Sequence, residues 1–475
     1  MKVVLATAPI RERSAIGEEA SALYPPLGIM SLATYCRQHS PNVTFKLVDG
    51  SDMGIKQFVS TVNSLNPDVI GLSFNTVGAY GGYQSVNLLK QANQDVPILV
   101  GGLHVSSLPN EALQKSHADV VVIGEGEATL CELLSLPDFS PSTLKKVKGV
   151  AFRQDDKTVM TEPRPFIQDL DTLPSPDRTL LDIHSYPGIP YVRRKPETNM
   201  MASRGCPHNC VFCSHGWRTG RPYLRVRSPK NVVDEMEKLV TDYKIREIYE
   251  YSDEFNSIPS WSLVVCKEIK KRGLDFSWKA QVRADNLPES LVKSMSETGC
   301  WLVLLGIESG NPETLNGIRK GVTMQQVIDA CILFKKYGIK IMAYFMVFNM
   351  WEHNGVLYYE TPEMCVNTYR FAKKLLQKRL IDYLAWSVAT PFPGSELYEI
   401  TKRYDLLKNV RYDKWTAHDI VMRVPNVDEK TIKQIIAQGI MLQAQSLVMR
   451  GDINLRLFPF YMRRAFRFIK WRLGI

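Results

Sequence analysis

The sequence predicts an α/β protein with two parallel sheets in succession and a mostly helical C-terminal region. Short apolar runs bounded by turn residues alternate with stretches of helical periodicity, and this alternation forms two series along the 475 residues. Such alternation is typical of parallel strands covered by helices. A proline-rich stretch separates the two series. A chain of this length can accommodate two or three domains, and we expect one for each series, followed by the helical C-terminal region.

The first series, residues 1–135, predicts a Rossmann-like, doubly wound parallel sheet. Ligands of such sheets lie beyond the carboxyl ends of the strands. Three loops at these ends, 73–76, 101–106 and 124–127, contain glycines and small residues, which let the backbone come close to a bulky ligand. The predicted strands are Lys2–Ala6, Thr44–Val48, Asp68–Phe74, Pro97–Val100 and Asp119–Ile123, and the predicted helices include Gly28–Gln38, Gly54–Leu65 and Gly82–Ala92.

Residues 136–195 are predicted to form a connector. Eight prolines interrupt this stretch, and a linker so rich in proline is semi-rigid. Within it, Gly149–Arg153 and Thr158–Thr161 are apolar enough to form a small hairpin. We expect the connector to fix the two domains relative to each other.

The second series, residues 196–400, predicts a partial (β/α)6 barrel. Its strand-helix units recur about every 40 residues, and six units make an incomplete barrel. Chemistry in barrels of this kind is expected at the carboxyl ends of the strands. The predicted strands are Thr198–Ser203, Glu247–Ser252, Phe276–Val282, Trp301–Gly306, Ile339–Phe348 and Tyr383–Thr390, with helices such as Asn231–Tyr243, Ser260–Arg272, Pro288–Thr298 and Thr323–Tyr337 between them.

Three cysteines follow the first strand of this barrel. Cys206, Cys210 and Cys213 have the spacing C-x3-C-x2-C. Three thiolates on one short loop can hold three irons of a four-iron cluster and leave the fourth iron open for another ligand. Zinc is the alternative, since His208 and His215 could add ligands, although structural zinc sites usually have four closed ligands in paired hooks.

Charged residues follow the next three strands. Asp253 and Glu254 could accept hydrogen bonds from an ammonium group, or could be solvated loop acids. Arg283 can bind a carboxylate with two parallel hydrogen bonds, and nearby Asp285 is expected to cap the helix beginning near Leu287.

The fourth strand ends with Glu308 and Ser309. A carboxylate suits a cis-diol because it accepts two hydrogen bonds. Since a buried carboxylate is costly without a partner, the apolar run before Glu308 indicates a ligand or an ion pair there.

The cysteine spacing, Phe212 before the last cysteine and the order of the strand-end residues resemble the radical S-adenosylmethionine (radical SAM) superfamily. The front half of the chain resembles a cobalamin-binding domain. Together these features, which extend to about residue 406, resemble the B12-binding-domain class of radical SAM enzymes, which includes methyltransferases and ring-forming enzymes. The resemblance implies three cofactors: a [4Fe–4S] cluster, SAM and cobalamin.

The resemblance also implies roles for individual residues. Cys206, Cys210 and Cys213 would hold the [4Fe–4S] cluster. The residues implied to bind SAM are Asp253 and Glu254 at its amino group, Arg283 near its carboxylate, and Glu308 with Ser309 at its ribose. The residues implied to line the cobalamin pocket are Ser73, Asn75, Thr76, Gly101, Gly102, Gly124 and Glu125.

One departure from the family concerns cobalt. Many cobalamin domains carry a histidine in an Asp-x-His-x-x-Gly motif after the second strand, but this chain reads Asp49-Gly-Ser-Asp-Met-Gly54. Its absence is compatible with relatives that leave cobalt without an imidazole, with a domain that no longer binds cobalamin, and with a plain Rossmann-like domain. His104, in a neighbouring loop, is expected to be a polar residue lining the pocket.

The implied function is radical chemistry on an unactivated carbon. A 5′-deoxyadenosyl radical derived from SAM would abstract hydrogen, and cobalamin-dependent C-methylation of a secondary metabolite, lipid or pigment would follow. The alternative enzyme is a radical SAM cyclase or carbon-skeleton rearrangement enzyme whose cobalamin-like domain is empty. A non-enzymatic iron–sulfur or corrinoid sensor is a third option. An enzyme of this class needs a small-molecule or lipid-like substrate and a reductase, flavodoxin or ferredoxin as electron donor.

The net charge of +10 is concentrated at the C-terminus. Residues 450–475 contain seven basic residues and one acid, so this segment contributes +6 and the rest of the chain is nearly balanced. We therefore expect no nucleic-acid partner. Residues 401–475 are predicted to be mostly helical, and the tail after Pro459 reads as a basic amphipathic helix with Trp and Phe, suited to peripheral membrane contact, to closing the substrate cavity or to packing on the barrel.

Cysteine use and the N-terminus favour a cytoplasmic protein. The other six cysteines are scattered among apolar neighbours with no disulfide framework, so we expect them to be reduced. The first residues predict a strand rather than a signal peptide. No apolar run reaches the ~20 residues that span a bilayer, so any membrane association would be peripheral, through the basic tail.

Overall fold

The structure, a computed structural model, describes residues 1–10, 24–189, 191–214 and 223–449. These residues divide into two compact units. The first unit contains the described residues up to Ile189 together with Val410–Trp415. The second contains the described residues from Tyr191 to Asn409 and from Thr416 onward.

The first unit is built on a seven-stranded sheet in the order β2-β1-β3-β4-β5-β6-β7. The first five strands in sequence are parallel, as predicted, and the last two add an antiparallel hairpin at one edge. The strands are β1 (Lys2–Thr7), β2 (Thr44–Asp49), β3 (Val69–Ser73), β4 (Ile98–Gly101), β5 (Val120–Val122), β6 (Val150–Gln154) and β7 (Lys157–Met160).

Helices cover both faces of this sheet because its strands are apolar on both sides. In β1, Val4 and Ala6 belong to one core cluster, whereas Val3 and Leu5 belong to the other. This arrangement is that of a doubly wound fold, as the sequence predicts. The helices are α1 (Leu27–His39), α2 (Ile55–Ser64), α3 (Ala79–Ala92), α4 (Leu103–Ser107), α5 (Pro109–Lys115), α6 (Glu127–Leu134) and α7 (Pro141–Leu144), and short 3-10 turns lie at Leu170–Thr172 and Arg178–Leu180.

The hairpin of the predicted connector is part of this sheet. Strand β6 pairs antiparallel with β5, and Val150 and Phe152 are buried in the core on one face. The first unit therefore continues to Ile189, whereas the sequence predicted a connector from residue 136. Proline content marks a stretch that avoids regular helix, but it does not distinguish a linker from extended chain packed on a sheet.

The second unit is built on six parallel strands in the order β17-β14-β13-β12-β11-β8. Neighbours in the sheet are successive units of the predicted barrel series, which confirms that prediction. The strands are β8 (Glu197–Met200), β11 (Glu247–Glu250), β12 (Ser277–Val282), β13 (Cys300–Glu308), β14 (Lys340–Val347) and β17 (Tyr383–Val388). The helices are α8 (Pro229–Thr241), α9 (Pro259–Arg272), α10 (Glu289–Glu297), α11 (Pro312–Gly317), α12 (Met324–Lys336), α13 (Pro362–Gln377), α14 (Glu396–Arg403) and α15 (Glu429–Met449), and a short 3-10 turn, Tyr412–Lys414, belongs to the first unit.

A buried charge network lies at the amino end of the barrel strands. The ammonium group of Lys279 is fully buried and pairs with Glu197 and, at 3.2 Å, with Glu247. The indole of Trp301 also donates to Glu247. Burying these charges is costly unless they are paired, and the shared ammonium group links β8, β11 and β12 away from their carboxyl ends.

Two short antiparallel hairpins interrupt the barrel series, and the sequence analysis did not predict either of them. The first pairs β9 (Ser203–Arg204) with β10 (Arg225–Val226) at the base of the cysteine loop. The second pairs β15 (Met350–His353) with β16 (Val356–Tyr359) between β14 and α13. Both strands of the first hairpin are too short to give a period-two pattern in the sequence.

The C-terminal region, which was predicted to be mostly helical, contains the long helix α15 (Glu429–Met449). Residues 404–428 are not α-helical and contain turns, an isolated β-bridge between Leu407 and Met422, and the 3-10 turn Tyr412–Lys414. The predicted amphipathic tail after Pro459 lies outside the described residues. Among the helices that the structure does describe, none combines the length and apolar character needed to cross a bilayer.

Candidate functional site

The predicted cluster and SAM residues follow four adjacent strands of the second unit. Strands β8, β11, β12 and β13 are neighbours in the sheet, and they lead to Cys206, Glu254, Arg283 and Glu308 respectively. Because the strands are parallel, their carboxyl ends meet at one edge. The fold therefore brings together residues that are about 100 positions apart in sequence.

The hairpin of β9 and β10 closes the base of the cysteine loop. Between this hairpin and Cys206, Gly205 has φ +87°, and a Cβ atom there would lie 1.7 Å from the carbonyl oxygen of Tyr223. Only glycine fits such a position. On the far side of the loop, the amide of Val211 donates to the carbonyl of Ile318 at 3.1 Å, which ties the loop to the segment after α11.

The buried carboxyl group of Glu250 holds the backbone just before this loop. Glu250, at the end of β11, accepts a hydrogen bond from the amide of Ala202 at 3.1 Å and is also bonded by Ser252. The hydroxyl of Ser252 accepts from the amides of Ala202 and Ser203 at 3.0 and 2.9 Å. Burial raises the pKa of Glu250, because a charged carboxylate is costly to remove from water. The hydrogen bonds from Ser252 and Ala202 act in the opposite direction and offset part of that cost.

The three thiols fit a multi-iron cluster better than a single ion. Burial raises the pKa of Cys206 to about 12 and also raises that of Cys210. Metal ligation requires thiolates, so loading the site would release protons. The three sulfur atoms do not all lie within 4.8 Å of one another, whereas one ion would need them that close. A cube of four irons spreads its ligands over a larger span.

Glu254 lies against the first cysteine. Its side chain is 4% exposed, and its Oε2 lies 3.1 Å from His208 Nε2, 3.9 Å from Cys206 Sγ and 4.0 Å from Arg283 Nε. Asp253, the neighbouring acid, is half-buried. The two acids were predicted as a pair, but the structure places them in different surroundings.

Arg283 is held by Asp285. Its guanidinium donates to both carboxylate oxygens of Asp285, at 2.9 and 3.1 Å, and to the carbonyl of Lys320 at 2.5 Å. Helix α10 begins at Glu289 with Pro288 before it, so the expectation that Asp285 caps this helix is wrong. The carboxylate prefers the guanidinium because a fork of two charge-assisted bonds is stronger than one bond to a backbone amide.

Glu308 forms a buried ion pair with Lys320. Lys320 Nζ lies 2.9 Å from Glu308 Oε1, and both side chains are almost enclosed. Burial acts to lower the pKa of Lys320, but Glu308 reverses this and the pKa is raised. Glu308 has φ +67°, at an irregularity in the pairing of β13 with β14. Backbone strain of this kind at a strand end is typical of functional sites.

Ser309 is part of a buried hydrogen-bond network. Its hydroxyl donates to Glu360 at 2.8 Å and contacts Thr368 and Asn311 at 3.1 Å each, and its side chain is fully buried. A hydroxyl with these partners has no capacity left for a ribose. The structure therefore does not support the expectation that Ser309 contacts SAM directly. Its hydroxyl instead fixes the turn after Glu308.

In the first unit, four neighbouring strands end in one row of small or polar residues. Thr7 pairs with Asp49 on one side and with Ser73 on the other, and Ser73 pairs with Gly101. The strand order β2-β1-β3 places the topological switch point between β1 and β3, where ligands of such sheets bind. Ser73 therefore lies where the sequence analysis expects a ligand.

Glycines at this edge leave room for a large ligand. A Cβ atom on Gly124 would meet nothing within 4 Å, and one on Gly101 would reach only Val122 at 3.8 Å. Gly102 differs, because a Cβ there would lie 2.6 Å from the carbonyl oxygen of Phe74. The open space at Gly101 and Gly124 is compatible with a bulky ligand such as cobalamin at this edge. At Gly102, glycine is required for a different reason, because a side chain would collide with the backbone of Phe74.

The other three predicted cobalamin residues make contacts within the unit. Asn75 accepts a hydrogen bond from the amide of Gly78 at 3.0 Å. Glu125 accepts one from the amide of Ile167 at 3.0 Å. Thr76 is buried against His104. Their side chains shape the loops at the sheet edge.

His104 is a core residue, and the expectation that it lines the pocket is wrong. It is completely buried, with Nδ1 3.2 Å from the Thr76 hydroxyl and Nε2 3.0 Å from the Tyr83 hydroxyl. The ring of Tyr412 packs edge-on against it, and the Tyr412 hydroxyl donates to Glu111. A loop histidine cannot be distinguished from a core histidine by sequence alone when the loop folds inward.

The place of the missing cobalt-ligating histidine is organised around Asp49. Its carboxylate accepts hydrogen bonds from Thr7 at 2.5 Å, Ser51 at 2.6 Å and Tyr186 at 2.9 Å. Desolvation and Asp49 raise the pKa of Tyr186. Tyr186 was not predicted to contact this place, because it lies in the proline-rich stretch, far from the strand-end motifs.

Two further residues, Lys320 and Glu360, were not predicted as part of the second site, and His208 was predicted there only as an added ligand of the zinc alternative. His208 is within the cysteine motif and contacts Glu254. Lys320 lies 12 positions after Glu308 and pairs with it. A partner for a buried Glu308 was expected on energetic grounds, but sequence spacing does not identify which lysine supplies it.

Comparisons with known proteins agree with this architecture. The family model described as the B12 binding domain matches residues 13–134, and the model described as the radical SAM superfamily matches residues 200–372. An uncharacterized methyltransferase of Pyrococcus horikoshii is 32% identical over 473 residues, which cover 98% of this chain and 97% of that protein. The anaerobic magnesium-protoporphyrin IX monomethyl ester cyclase of Rubrivivax gelatinosus is 30% identical over 391 residues, 81% of this chain and 67% of that protein.

Solved structures share the fold across most of the chain. The cobalamin-dependent S-adenosylmethionine radical enzyme OxsB with aqua-cobalamin and S-adenosylmethionine bound has a TM-score of 0.69 and 19% identity, and the match covers 94% of this chain and 67% of that one. The radical S-adenosylmethionine methyltransferase TsrM from Kitasatospora setae has a TM-score of 0.63 and 17% identity, covering 86% and 77%.

A [4Fe–4S] cluster, SAM and cobalamin are the cofactors typical of enzymes that combine these two domains. Such enzymes also need a small-molecule substrate and an electron donor. The three spread thiols and the open glycine cradle fit the first and the last of these cofactors. From its two domains and its full-length relative, this chain belongs to the B12-binding-domain class of the radical SAM superfamily and is a cobalamin-dependent radical SAM enzyme.

Proposed function

We propose that this enzyme methylates an unactivated carbon of a secondary-metabolite, lipid or pigment substrate. The cofactors supply the reactive chemistry when bound: a 5′-deoxyadenosyl radical from SAM at the reduced cluster, and a methyl carrier in cobalamin. The chain supplies binding, orientation and exclusion of water. The observation that carries the proposal is the convergence of the cysteine loop, Glu254, Arg283 and the Glu308–Lys320 pair at adjacent strand ends of one unit.

Cys206, Cys210 and Cys213 would hold the cluster in this proposal. Glu250 and Ser252 fix the backbone at the start of their loop through the amides of residues 202 and 203. Preorganised ligands of this kind lower the cost of closing the loop around a cofactor.

The charged strand-end residues would hold SAM. Asp253 and Glu254 are the candidates for its ammonium group, since both carboxylates follow β11, and the carboxylate of Glu254 also contacts His208. Arg283 is the candidate for its carboxylate, with Asp285 setting the orientation of the guanidinium. Glu308 would accept hydrogen bonds from the ribose while Lys320 neutralises its charge.

The edge of the first sheet would hold cobalamin. Ser73 ends β3 at the switch point, and the absent side chains of Gly101 and Gly124 leave space there. Asn75, Thr76, Gly102 and Glu125 would act indirectly, by fixing the loops that surround this space. Methyl transfer is favoured over other outcomes because the full-length relative at 32% identity is named a methyltransferase.

A ring-forming reaction is the second candidate. The observation that favours it is the 30% identity to a protein named anaerobic magnesium-protoporphyrin IX monomethyl ester cyclase. In that case the substrate radical would add to an unsaturated carbon of the same substrate, and the ring-closed radical would pass one electron to the oxidised cluster and lose a proton to solvent. The same residues would still bind the cluster and SAM.

The two candidates differ in the products derived from SAM. The enzyme, reconstituted anaerobically with iron, sulfide and cobalamin, would be incubated with SAM, a reductant and candidate pigments or lipids. Methyl transfer produces both 5′-deoxyadenosine and S-adenosylhomocysteine, whereas cyclisation produces 5′-deoxyadenosine without S-adenosylhomocysteine. No corrinoid retained under any condition would refute the methyltransferase proposal, and no 5′-deoxyadenosine under any condition would refute both.

A further inference from the structure

One group of metal-ligand side chains is close enough to bind a single ion. Among the residues that the structure describes, the group consists of the thiol of Cys206, the imidazole of His208 and the carboxylate of Glu254, and its ligand atoms all lie within 4.8 Å of one another. Glu254 is almost fully buried, and the other two residues are half-buried. The group shares one residue, Cys206, with the proposed cluster ligands.

The separations of these atoms match a tetrahedral site. With ordinary zinc bond lengths, adjacent nitrogen and oxygen ligands lie about 3.3 Å apart and adjacent sulfur and oxygen ligands about 3.5 Å apart. Here His208 Nε2 lies 3.1 Å and Cys206 Sγ lies 3.9 Å from the same carboxylate oxygen, Glu254 Oε2. Small side-chain rotations would therefore complete three corners of a tetrahedron.

The charges of this group match a divalent ion. One thiolate and one carboxylate carry two negative charges, and a neutral imidazole adds none, so a divalent ion would be neutralised. Arg283 is the nearest opposing charge, 4.0 Å from Glu254. Its guanidinium is already bonded by Asp285 and by the carbonyl of Lys320, so Glu254 is not its main partner.

The cysteine triad does not compete for a single ion in this geometry. The thiol of Cys210 points to the carbonyl oxygen of Arg319, 3.7 Å away. The sulfur atoms of Cys206, Cys210 and Cys213 do not all lie within 4.8 Å of one another. A single ion is therefore expected at the mixed group of thiol, imidazole and carboxylate, and a cluster at the three cysteines.

We propose that the cluster-free chain binds one divalent transition-metal ion, such as Zn²⁺, through Cys206, His208 and Glu254. Binding would replace the proton of the Cys206 thiol with the metal, release that proton to solvent and leave the fourth position to water. Because Cys206 is also needed by the cluster, the ion and the cluster exclude each other. A bound ion must therefore be released before the cluster can assemble.

Cobalt is a suitable probe of this site. The full-length chain would be freed of iron and zinc anaerobically and titrated with Co²⁺ alone, because a thiolate–cobalt bond and tetrahedral coordination give distinct absorption bands. We expect one ion per chain. The Cys206→Ala, His208→Ala and Glu254→Gln variants should each weaken binding by at least about tenfold, whereas Cys210→Ala and Cys213→Ala should bind as the wild type does.

Two controls separate ligation from general effects. His353→Ala removes an exposed histidine in the same unit and should leave the titration unchanged, and circular dichroism would check that each variant is folded. If Cys210→Ala and Cys213→Ala abolish the thiolate–cobalt band while His208→Ala and Glu254→Gln keep it, the ion is bound by the cysteine triad and the proposal is wrong.

Cluster assembly gives a second test. Prior loading with Zn²⁺ should slow the uptake of iron and sulfide by the wild-type chain, and His208→Ala should relieve this inhibition because it keeps all three cysteines. Equal inhibition in both proteins would overturn the proposed competition.

Discussion

Glu308 combines three unusual features in one residue. It has a positive φ, it is almost enclosed, and its carboxylate pairs with Lys320 at 2.9 Å. The space for this pair exists because residue 306 is glycine: a Cβ there would lie 2.6 Å from Glu308 Oε1 and 2.7 Å from Lys320 Nζ. Strain and burial are tolerated because each charge has a partner. The ion pair and the burial therefore restrict rotation of the Glu308 side chain.

Replacing Lys320 tests this pairing. Lys320→Met should destabilise the folded protein by about 3 kcal/mol, because the carboxylate of Glu308 would remain buried without its partner. SAM affinity should fall in the same variant, since Glu308 would lose its fixed position. Chemical denaturation and equilibrium SAM binding to the cluster-loaded protein would measure the two effects.

A surface ion pair provides the matched control. Lys336 pairs with Glu289, and both side chains are more than half exposed. Lys336→Met should change neither stability nor SAM binding measurably, because solvent already screens this pair. Similar effects in the two lysine variants would contradict a special role for Lys320.

At the scale of elements, Glu360 joins the ends of two barrel strands. This fully buried residue precedes α13 and accepts hydrogen bonds from Ser309, after β13, and from the amide and side chain of Asn349, after β14. Burial raises the pKa of Glu360, although its hydrogen bonds oppose the shift. The turn that contains Glu308 is thus held, through Ser309, by the carboxyl group of Glu360, which lies more than 50 positions later in the sequence.

Replacing Glu360 should disturb both strand ends. Glu360→Ala leaves the donors of Ser309 and Asn349 unpaired, and we expect a loss of about 2–4 kcal/mol in the free energy of unfolding. SAM affinity should fall while the iron content stays constant, because the cysteine loop is on other strands. The exposed acid Glu363, replaced by glutamine, is the control. Unchanged SAM affinity in a destabilised Glu360→Ala protein would indicate a purely structural role.

The helices of the first unit are joined by the buried cluster around His104. Burial lowers the pKa of His104 below its usual value of 6.5, although Glu111 opposes the shift and Lys115 adds to it. Tyr83 and Tyr412 complete the surroundings of this histidine. In the folded state the imidazole therefore stays neutral in a range where the unfolded chain takes up a proton.

The stability of the first unit should consequently depend on pH. The contribution of neutral His104 is fully present above pH 6.5 and is lost as the pH falls towards its lowered pKa. The stability difference between the wild type and His104→Gln should shrink between about pH 7.5 and about pH 5.5. The exposed residue His117 offers a control: His117→Gln should give a profile parallel to that of the wild type. A difference for His104→Gln that does not vary with pH would contradict this reasoning.

At the scale of the whole molecule, the residues of the two proposed cofactor sites belong to separate compact units. The cradle with Ser73, Gly101 and Gly124 is in the first unit, and the cysteine loop and Glu308 are in the second. Each unit has its own parallel sheet and places its site at the carboxyl edge of that sheet. A substitution that prevents one cofactor from binding should therefore leave binding of the other cofactor unchanged.

Two variants test this separation. Replacing Cys206, Cys210 and Cys213 together by alanine should abolish iron binding and leave cobalamin affinity unchanged. Gly101→Leu should weaken cobalamin binding by at least about tenfold, which corresponds to about 1.4 kcal/mol, because its side chain would fill the open edge, and it should keep a full complement of iron. Iron analysis and absorption spectra with added cobalamin would measure both. Loss of both cofactors in either folded variant would contradict separate sites.

The sequence by itself determined where the strands of both sheets lie along the chain and which polar residues follow them. Apolar runs separated by helical periodicity predicted every strand of both parallel sheets, because burial on both faces demands such runs. The spacing of Cys206, Cys210 and Cys213 predicted the cluster loop, since a short loop with three thiols has few other uses. These are local properties, and local physical chemistry is encoded within a few residues.

Only the tertiary structure decided which side chains meet. It paired Glu308 with Lys320 and Ser309 with Glu360, gave Asp285 to Arg283 instead of to a helix end, and buried His104 in the core. It also added the connector hairpin to the first sheet. The physical reason is that side chains pair according to distance and burial in three dimensions. A separation such as the 51 residues between Ser309 and Glu360 leaves no periodic signal in the sequence.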